Sequence, residues 1–190
     1  TTNSTIASTN YRSFYVAAAG MTPNVTLGPE AGTDENPGSS TSTATKPTYD
    51  YLAFAGNQIE YANFQLTMPG EWDRDVIKAK FYFLTKTDGT AGETVTFGIN
   101  MTPVSHDDDA AYSANVFAYG EGTVIGADGD LHISAATTYI SASGGASASL
   151  NDLVCFRVAR NTGLDNYGSD AHLLGVAIQY KEQPTPETAW

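Results

Sequence analysis

The sequence predicts an all-β fold: an antiparallel β-sandwich of jelly-roll type with about eight or nine strands. Three observations carry this. From Tyr49 onward, apolar and polar residues alternate with a period of 2 in one stretch after another, and such alternation marks half-buried strands. Turn signals divide these stretches at short intervals: Asp88-Gly89, Gly126-Ala127-Asp128-Gly129, Gly144-Gly145 and Gly168. The aromatic residues are mainly Tyr and Phe, 11 and 8 of them, which suit a pleated, half-buried surface. A chain of 190 residues fits one domain with a sizeable core.

Along the chain, Arg12–Ala17 is the first predicted strand. After it, Pro23, Gly28, Pro29, Gly32, Pro37, Gly38 and Pro47 punctuate a Thr/Ser-rich stretch. Residues 1–50 are therefore expected to be partly an extended arm or loop. Residues 51–181 are expected to form the sandwich body, and 182–190, with Pro184 and Pro186, a short tail. In Glu60–Met68, the side chains of Ala62, Phe64, Leu66 and Met68 share a face. In Ile77–Leu84, Ile77, Ala79, Phe81 and Phe83 oppose Lys78, Lys80 and Tyr82. In Thr94–Met101, Val95, Phe97, Ile99 and Met101 oppose Thr94, Thr96, Gly98 and Asn100. Asp152–Arg160 and Leu173–Tyr180 complete the strong strands, with Leu174, Val176, Ile178 and Tyr180 on one face of the last. Asn115–Tyr119, Asp130–Ser134 and Thr137–Ser141 are weaker strands. A short helix is expected at His106–Ser113, opened by Asp107-Asp108-Asp109.

Charge narrows the function. Nine Lys and Arg against 21 Asp and Glu give a net charge of -12. That field repels a phosphate backbone, which binds through counterion release to basic side chains. Nucleic acid and anionic membranes are excluded as partners on this ground, and no stretch has the length of a membrane-spanning helix. Thr1-Thr2-Asn3-Ser4 has neither a basic region nor an apolar run, so no signal peptide is read there. The one cysteine, Cys155, sits in the apolar run Leu153–Phe156 and is expected to be buried.

No motif for enzyme chemistry is present. His106, His132 and His172 lack zinc spacing, and there is no phosphate loop, dinucleotide fingerprint or nucleophile elbow. Asp107, Asp108 and Asp109 are candidate calcium ligands, or else the capped start of the helix. Asp128-Gly129-Asp130 reads as a calcium loop or a tight turn between strands, and Asp165 with Asp170 as a metal loop or a hairpin connection. Glycoside hydrolysis needs two carboxylates across a cleft, whereas the acids here fall mostly in turns. The expectation is a binding protein and not an enzyme. Candidate ligand-binding residues are the loop aromatics Trp72, Tyr112, Tyr119 and Tyr167, because a flat ring stacks on a sugar face. The other reading is packing at strand ends, and Trp72, within Met68–Asp73, is expected to cover the end of the core. Asn3, Asn24 and Asn100 stand in glycosylation-type triplets, read as chance.

Several segments in order resemble a family. Tyr51-Leu52-Ala53-Phe54, Ile59–Phe64, Met68–Asp73, Lys78–Phe83, Asp107–Asp109, Asn151–Val158 and Asp170–Val176 are similar to segments of tailed-bacteriophage structural proteins of tail-fibre-like, head-fibre or decoration type. Ala17–Pro23 fits their start, and the likeness runs from about residue 12 to 181. It implies a virion surface component that assembles with copies of itself, a trimer being favoured, and with other virion proteins. It also implies attachment to a host-surface glycan, and carries over no catalytic residue. The alternative is a carbohydrate-binding module recognising a cell-surface glycan. No cofactor is expected beyond calcium.

Overall fold

The computed structural model describes residues 10–35, 47–85, 89–105, 116–126, 129–140, 148–149 and 152–183. Among them run β1 (Tyr11–Ala17), a short 3-10 turn (Ala18–Gly20), β2 (Thr22–Pro23), β3 (Glu30–Glu35), β4 (Thr48–Phe54), β5 (Tyr61–Thr67), β6 (Trp72–Thr85), β7 (Thr94–Val104), β8 (Ala118–Thr123), β9 (Leu131–Ile133), β10 (Leu153–Arg160) and β11 (Ala171–Glu182). They form two antiparallel sheets. One has six strands in the order β3-β4-β11-β6-β9, with β1 also paired to β11. The other has five, in the order β2-β5-β10-β7-β8. The sandwich expected from the sequence is what forms.

The inward faces are the predicted apolar sets. Ile77, Ala79, Phe81 and Phe83 of β6 meet Val95, Phe97, Ile99 and Met101 of β7, all buried. Phe97 is the hub: its ring lies 5.4 Å from Phe54, 5.4 Å from Phe81 and 5.6 Å from Phe83. Phe64 and Phe156 stack at 4.8 Å. Burying one such ring contributes about 1.5–3 kcal/mol. On β11 the expected face of Leu174, Val176, Ile178 and Tyr180 is buried, and Leu173 joins it. A bulge between Leu173 and Gly175 sets two neighbours on the buried side of the strand, so Leu173 is fully buried and Leu174 nearly so. The bulge supplies the extra residue that strict alternation cannot show.

Part of the stretch expected as a loop is sheet. β2 pairs with β5, and β3 pairs with β4 from Glu30↔Ala53 to Glu35↔Thr48. β3, with the sequence EAGTDE, has no apolar alternation because it is an edge strand held by its backbone ladder, and its acids suit an edge that must not pair further. Gln183 ties the end of β11 down by donating from Nε2 to the Gly70 carbonyl at 2.7 Å. The helix expected at 106–113 lies outside the described residues.

The second edge of the six-stranded sheet is irregular. Beyond β9, Ser134 Oγ and Thr137 Oγ1 accept hydrogen bonds from the Phe81 and Ala79 amides at 2.9 and 3.0 Å. These hydroxyls stand where a partner strand's carbonyls would stand. That is why Thr137–Ser141, read as a strand, contributes only a single bridge, Ile77↔Ile140, among the described residues.

Candidate functional site

The five-stranded sheet turns a second face outward, and its composition follows from the same alternation. β5 presents Tyr61, Asn63 and Gln65; β10 presents Cys155, Arg157 and Ala159; β8 presents Tyr119. Register aligns them in rows. Tyr61 stands beside Ala159, Ala159 beside Gly98, and Gly98 beside Tyr119. The two central members of that row are small, which leaves room above them. Phe117, just ahead of β8, fills it. A Cβ on Gly98 would stand 2.6 Å from the Tyr119 ring and 3.2 Å from Phe117 Cβ, so glycine is needed for the rings to lie down on the sheet.

The result is a platform of three rings. Tyr61 and Phe117 have centroids 6.3 Å apart and planes 32° apart. Phe117 and Tyr119 are 6.1 Å and 26° apart. The ring planes are moderately tilted to one another, unlike the edge-on pair Phe54–Phe97 at 86° and much like Phe81–Phe97 at 31°. Arg157 flanks the platform. Its guanidinium lies 5.3 Å from the Tyr61 ring centre, within cation–π range, and its Nε donates to Asn63 Oδ1 at 3.3 Å. In the next row Asn63 faces Thr22, and there a groove of about 400 Å³ opens along Gly20, Thr22, Asn63 and Gln65. On β7, between β10 and β8, Asn100 and Thr102 stand on this face yet are buried.

Of the ligand-binding aromatics expected from the sequence, Tyr119 joins this platform, 37% exposed. Trp72 and Tyr167 do not: Trp72 packs on the core as its alternative reading expects, and Tyr167 is corrected as a ligand-binding candidate. Trp72 is 4% exposed. The cleft beside it, lined by Met68, Arg74 and Asp152 among others, has about 10 Å³ of free space, room for one water and not for a sugar. Trp72 covers the end of the core. Tyr167 is 2% exposed and belongs to a buried knot around Arg160. That guanidinium pairs with Asp165 at 2.9 Å. It donates to the carbonyls of Phe54 at 3.0 Å, Ser169 at 2.6 Å and Tyr167, and lies 5.5 Å from the Tyr167 ring centre. Asp165, read as a possible metal ligand, is the counter-ion of this knot. Tyr112, Asp107, Asp108 and Asp109 lie outside the described residues. No group of three metal-ligating side chains occurs among the described residues.

Cys155 departs from expectation. It is partly exposed because its place in β10, facing Gln65 and Thr102, turns it outward. His132 is buried. It stacks on Phe83 at 5.1 Å, and its Nε2 accepts from the Ile125 amide at 3.1 Å, which fixes that nitrogen as unprotonated. Burial pushes its pKa below the usual histidine range, against weaker upward pulls from Asp130. Tyr61, Asn63, Phe117 and Arg157 were not among the residues singled out from the sequence. The signal for the first two was present: they are the polar-side members of β5's alternation.

Comparison with protein-family profiles gives no match, and comparison with curated proteins gives none. Solved structures give weak likenesses. A carbohydrate-binding module, TmCBM27, described for specific mannan recognition, is 9% identical with a TM-score of 0.42, over 90% of this chain and 98% of that one. TmCBM61, solved with β-1,4-galactotriose, is 7% identical with a TM-score of 0.36, over 90% and 88%. A protein of unknown function from Shewanella oneidensis MR-1 is 10% identical with a TM-score of 0.30, over 95% and 90%.

Proposed function

We propose that this chain is a non-enzymatic glycan-binding sandwich that holds sugar on the outer face of its five-stranded sheet. The observation that carries the reading is the three-ring platform of Tyr61, Phe117 and Tyr119. A pyranose has one face of C–H groups, which is apolar and slightly positive. It settles on the negative face of an aromatic ring, while its hydroxyls point sideways to polar groups. Arg157 and Asn63 stand at the rim to receive them, and the groove along Thr22 and Gln65 extends the track. Three rings in succession suit a chain of sugars better than a single compact ligand.

Three buried carboxylates among the described residues support binding without turnover, because they are already committed. Glu60 accepts from the Ala55 amide at 2.7 Å and from Gln58 at 2.8 Å. Asp152 accepts from Ser105 and the Ser149 amide, and Asp165 holds Arg160. The sequence resemblance to phage structural proteins supplies a setting, a virion surface, where such a face would serve attachment to a host glycan.

The test is calorimetric titration of the full chain with a panel of neutral gluco-, galacto-, manno- and xylo-oligosaccharides. At least one series should bind. Tyr119→Ala should weaken it about tenfold, the loss of about 1.4 kcal/mol, with the fold intact by circular dichroism. A panel without any binder, or a binder indifferent to Tyr119→Ala, would overturn the proposal.

A further inference from the structure

The outer face of the six-stranded sheet carries a different set of groups. β1, β11 and β6 run side by side, and register lines up Ser13, Gln179 and Lys78 in one row and Tyr15, Ala177 and Lys80 in the next. Tyr15 leans over Gly175, where a Cβ would collide with the Tyr15 hydroxyl at 2.3 Å, and meets Tyr82 edge-on at 5.6 Å. The small Ala177 between Tyr15 and Lys80 forms a floor. Above it opens a trough of about 200 Å³ lined by Ser13, Lys78, Lys80, Tyr82 and Gln179. Tyr139, 59% exposed, stands at its rim with the Lys78 ammonium 4.7 Å from its ring centre.

The charges here are unmatched. In a chain of net charge -12, carboxylates are plentiful. Arg12 takes Glu182 at 3.3 Å, Lys181 takes Asp73 at 2.9 Å and Arg160 takes Asp165 at 2.9 Å. Neither Lys78 nor Lys80 has a carboxylate partner among the described residues. Lysine often guards an edge strand against mispairing, but β6 lies inside the sheet, between β11 and β9. The two ammoniums stand on one face, two residues apart, beside hydroxyl, amide and aromatic groups.

We propose that this trough binds an anionic glycan. The carboxylate or sulfate groups of the sugar chain take Lys78 and Lys80 in charge-assisted hydrogen bonds. Ser13 and Gln179 take sugar hydroxyls, and Tyr82 and Tyr139 offer ring surface. Two cations on so acidic a protein take two anionic groups of a flexible sugar chain and leave its other charges in solvent, whereas a phosphate backbone binds through a longer run of basic side chains. The site lies on the opposite sheet from the neutral-glycan platform and does not depend on it.

The experiment titrates the full chain with oligogalacturonate, with dextran sulfate and with neutral galactose oligomers, at low and moderate salt. The same samples are followed by light scattering, with duplex DNA as competitor. Oligogalacturonate or dextran sulfate should bind, and the stronger of the two identifies the anionic group. Binding should weaken with salt and fall about tenfold or more in Lys78→Gln/Lys80→Gln, while Tyr119→Ala leaves it unchanged. The proposal is overturned by an absence of binding to both anionic probes, by binding that survives the double substitution, or by binding that follows Tyr119 instead. It is equally overturned by displacement by DNA, or by self-association that the double substitution abolishes, which would make a second copy the occupant.

Discussion

Arg157 and Arg160 sit three residues apart on β10, and each lies over a tyrosine, at 5.3 and 5.5 Å from the ring centre. They do opposite work. Arg160 points inward and is fully buried, with one carboxylate and three carbonyls around it. Arg157 points outward, half-buried, beside Asn63 and the ring platform. The strand's period of 2 makes this division, because an odd spacing puts two side chains on opposite faces. An arginine over an aromatic ring is therefore not in itself a site or a structural clamp. What surrounds the pair decides, and that is set by which face of the sheet it shares.

The largest expected effect breaks the inward member. Arg160→Met leaves Asp165 buried without its counter-ion and frees three carbonyls, which should cost about 3–5 kcal/mol and lower Tm by roughly 10 °C. Thermal unfolding measures it, and Arg157→Met, by contrast, should cost about 1 kcal/mol or less. The second effect reverses the order. Arg157→Met should weaken glycan binding about tenfold in calorimetric titration, by removing the rim donor to sugar hydroxyls. A smaller effect sharpens the comparison without touching either arginine. Gly98→Ala pushes the Tyr119 ring off the sheet, so affinity should drop several-fold while Tm moves by only a few degrees.

The smallest effect concerns pH. Burial holds His132 below the ordinary histidine range, so the unfolded chain takes up a proton first, near pH 6.5. Its contribution to stability is complete above that pH and is lost as pH falls towards the folded value. Tm should decline between pH 7 and 5.5 more steeply in the native chain than in His132→Gln. Equal slopes would remove His132 from the account.

Much of the sandwich was legible because alternation is a local signal. Val95–Met101 and Ile77–Phe83 show it without interruption, and both became inward faces. β3 was not legible, since an edge strand with Glu30, Asp34 and Glu35 has no core side to pattern. The bulge at Leu173 and Gly175 was hidden because it breaks the alternation that reveals strands. At the site, sequence pointed to aromatics in loops, and among the described residues Tyr119 is the one that joins the platform. Trp72 packs over the end of the core as its place among Met68–Asp73 suggests, whereas Tyr167 looked exposed because turn residues surround it, yet it is buried against Arg160. Tyr61 and Arg157 went unnoticed because each is the outward member of a strand read for its inward set. Their meeting depends on the pairing of β5 with β10, which links residues 94 apart in sequence.

The most direct test of the platform is a backbone amide chemical-shift map of the chain titrated with the tightest neutral oligosaccharide. The account predicts shifts concentrated on β5, β8 and β10 around Tyr61, Tyr119 and Arg157, with the Arg160 knot unmoved. Shifts centred on the Arg160 loop or the six-stranded sheet, or none at saturating sugar, would contradict it.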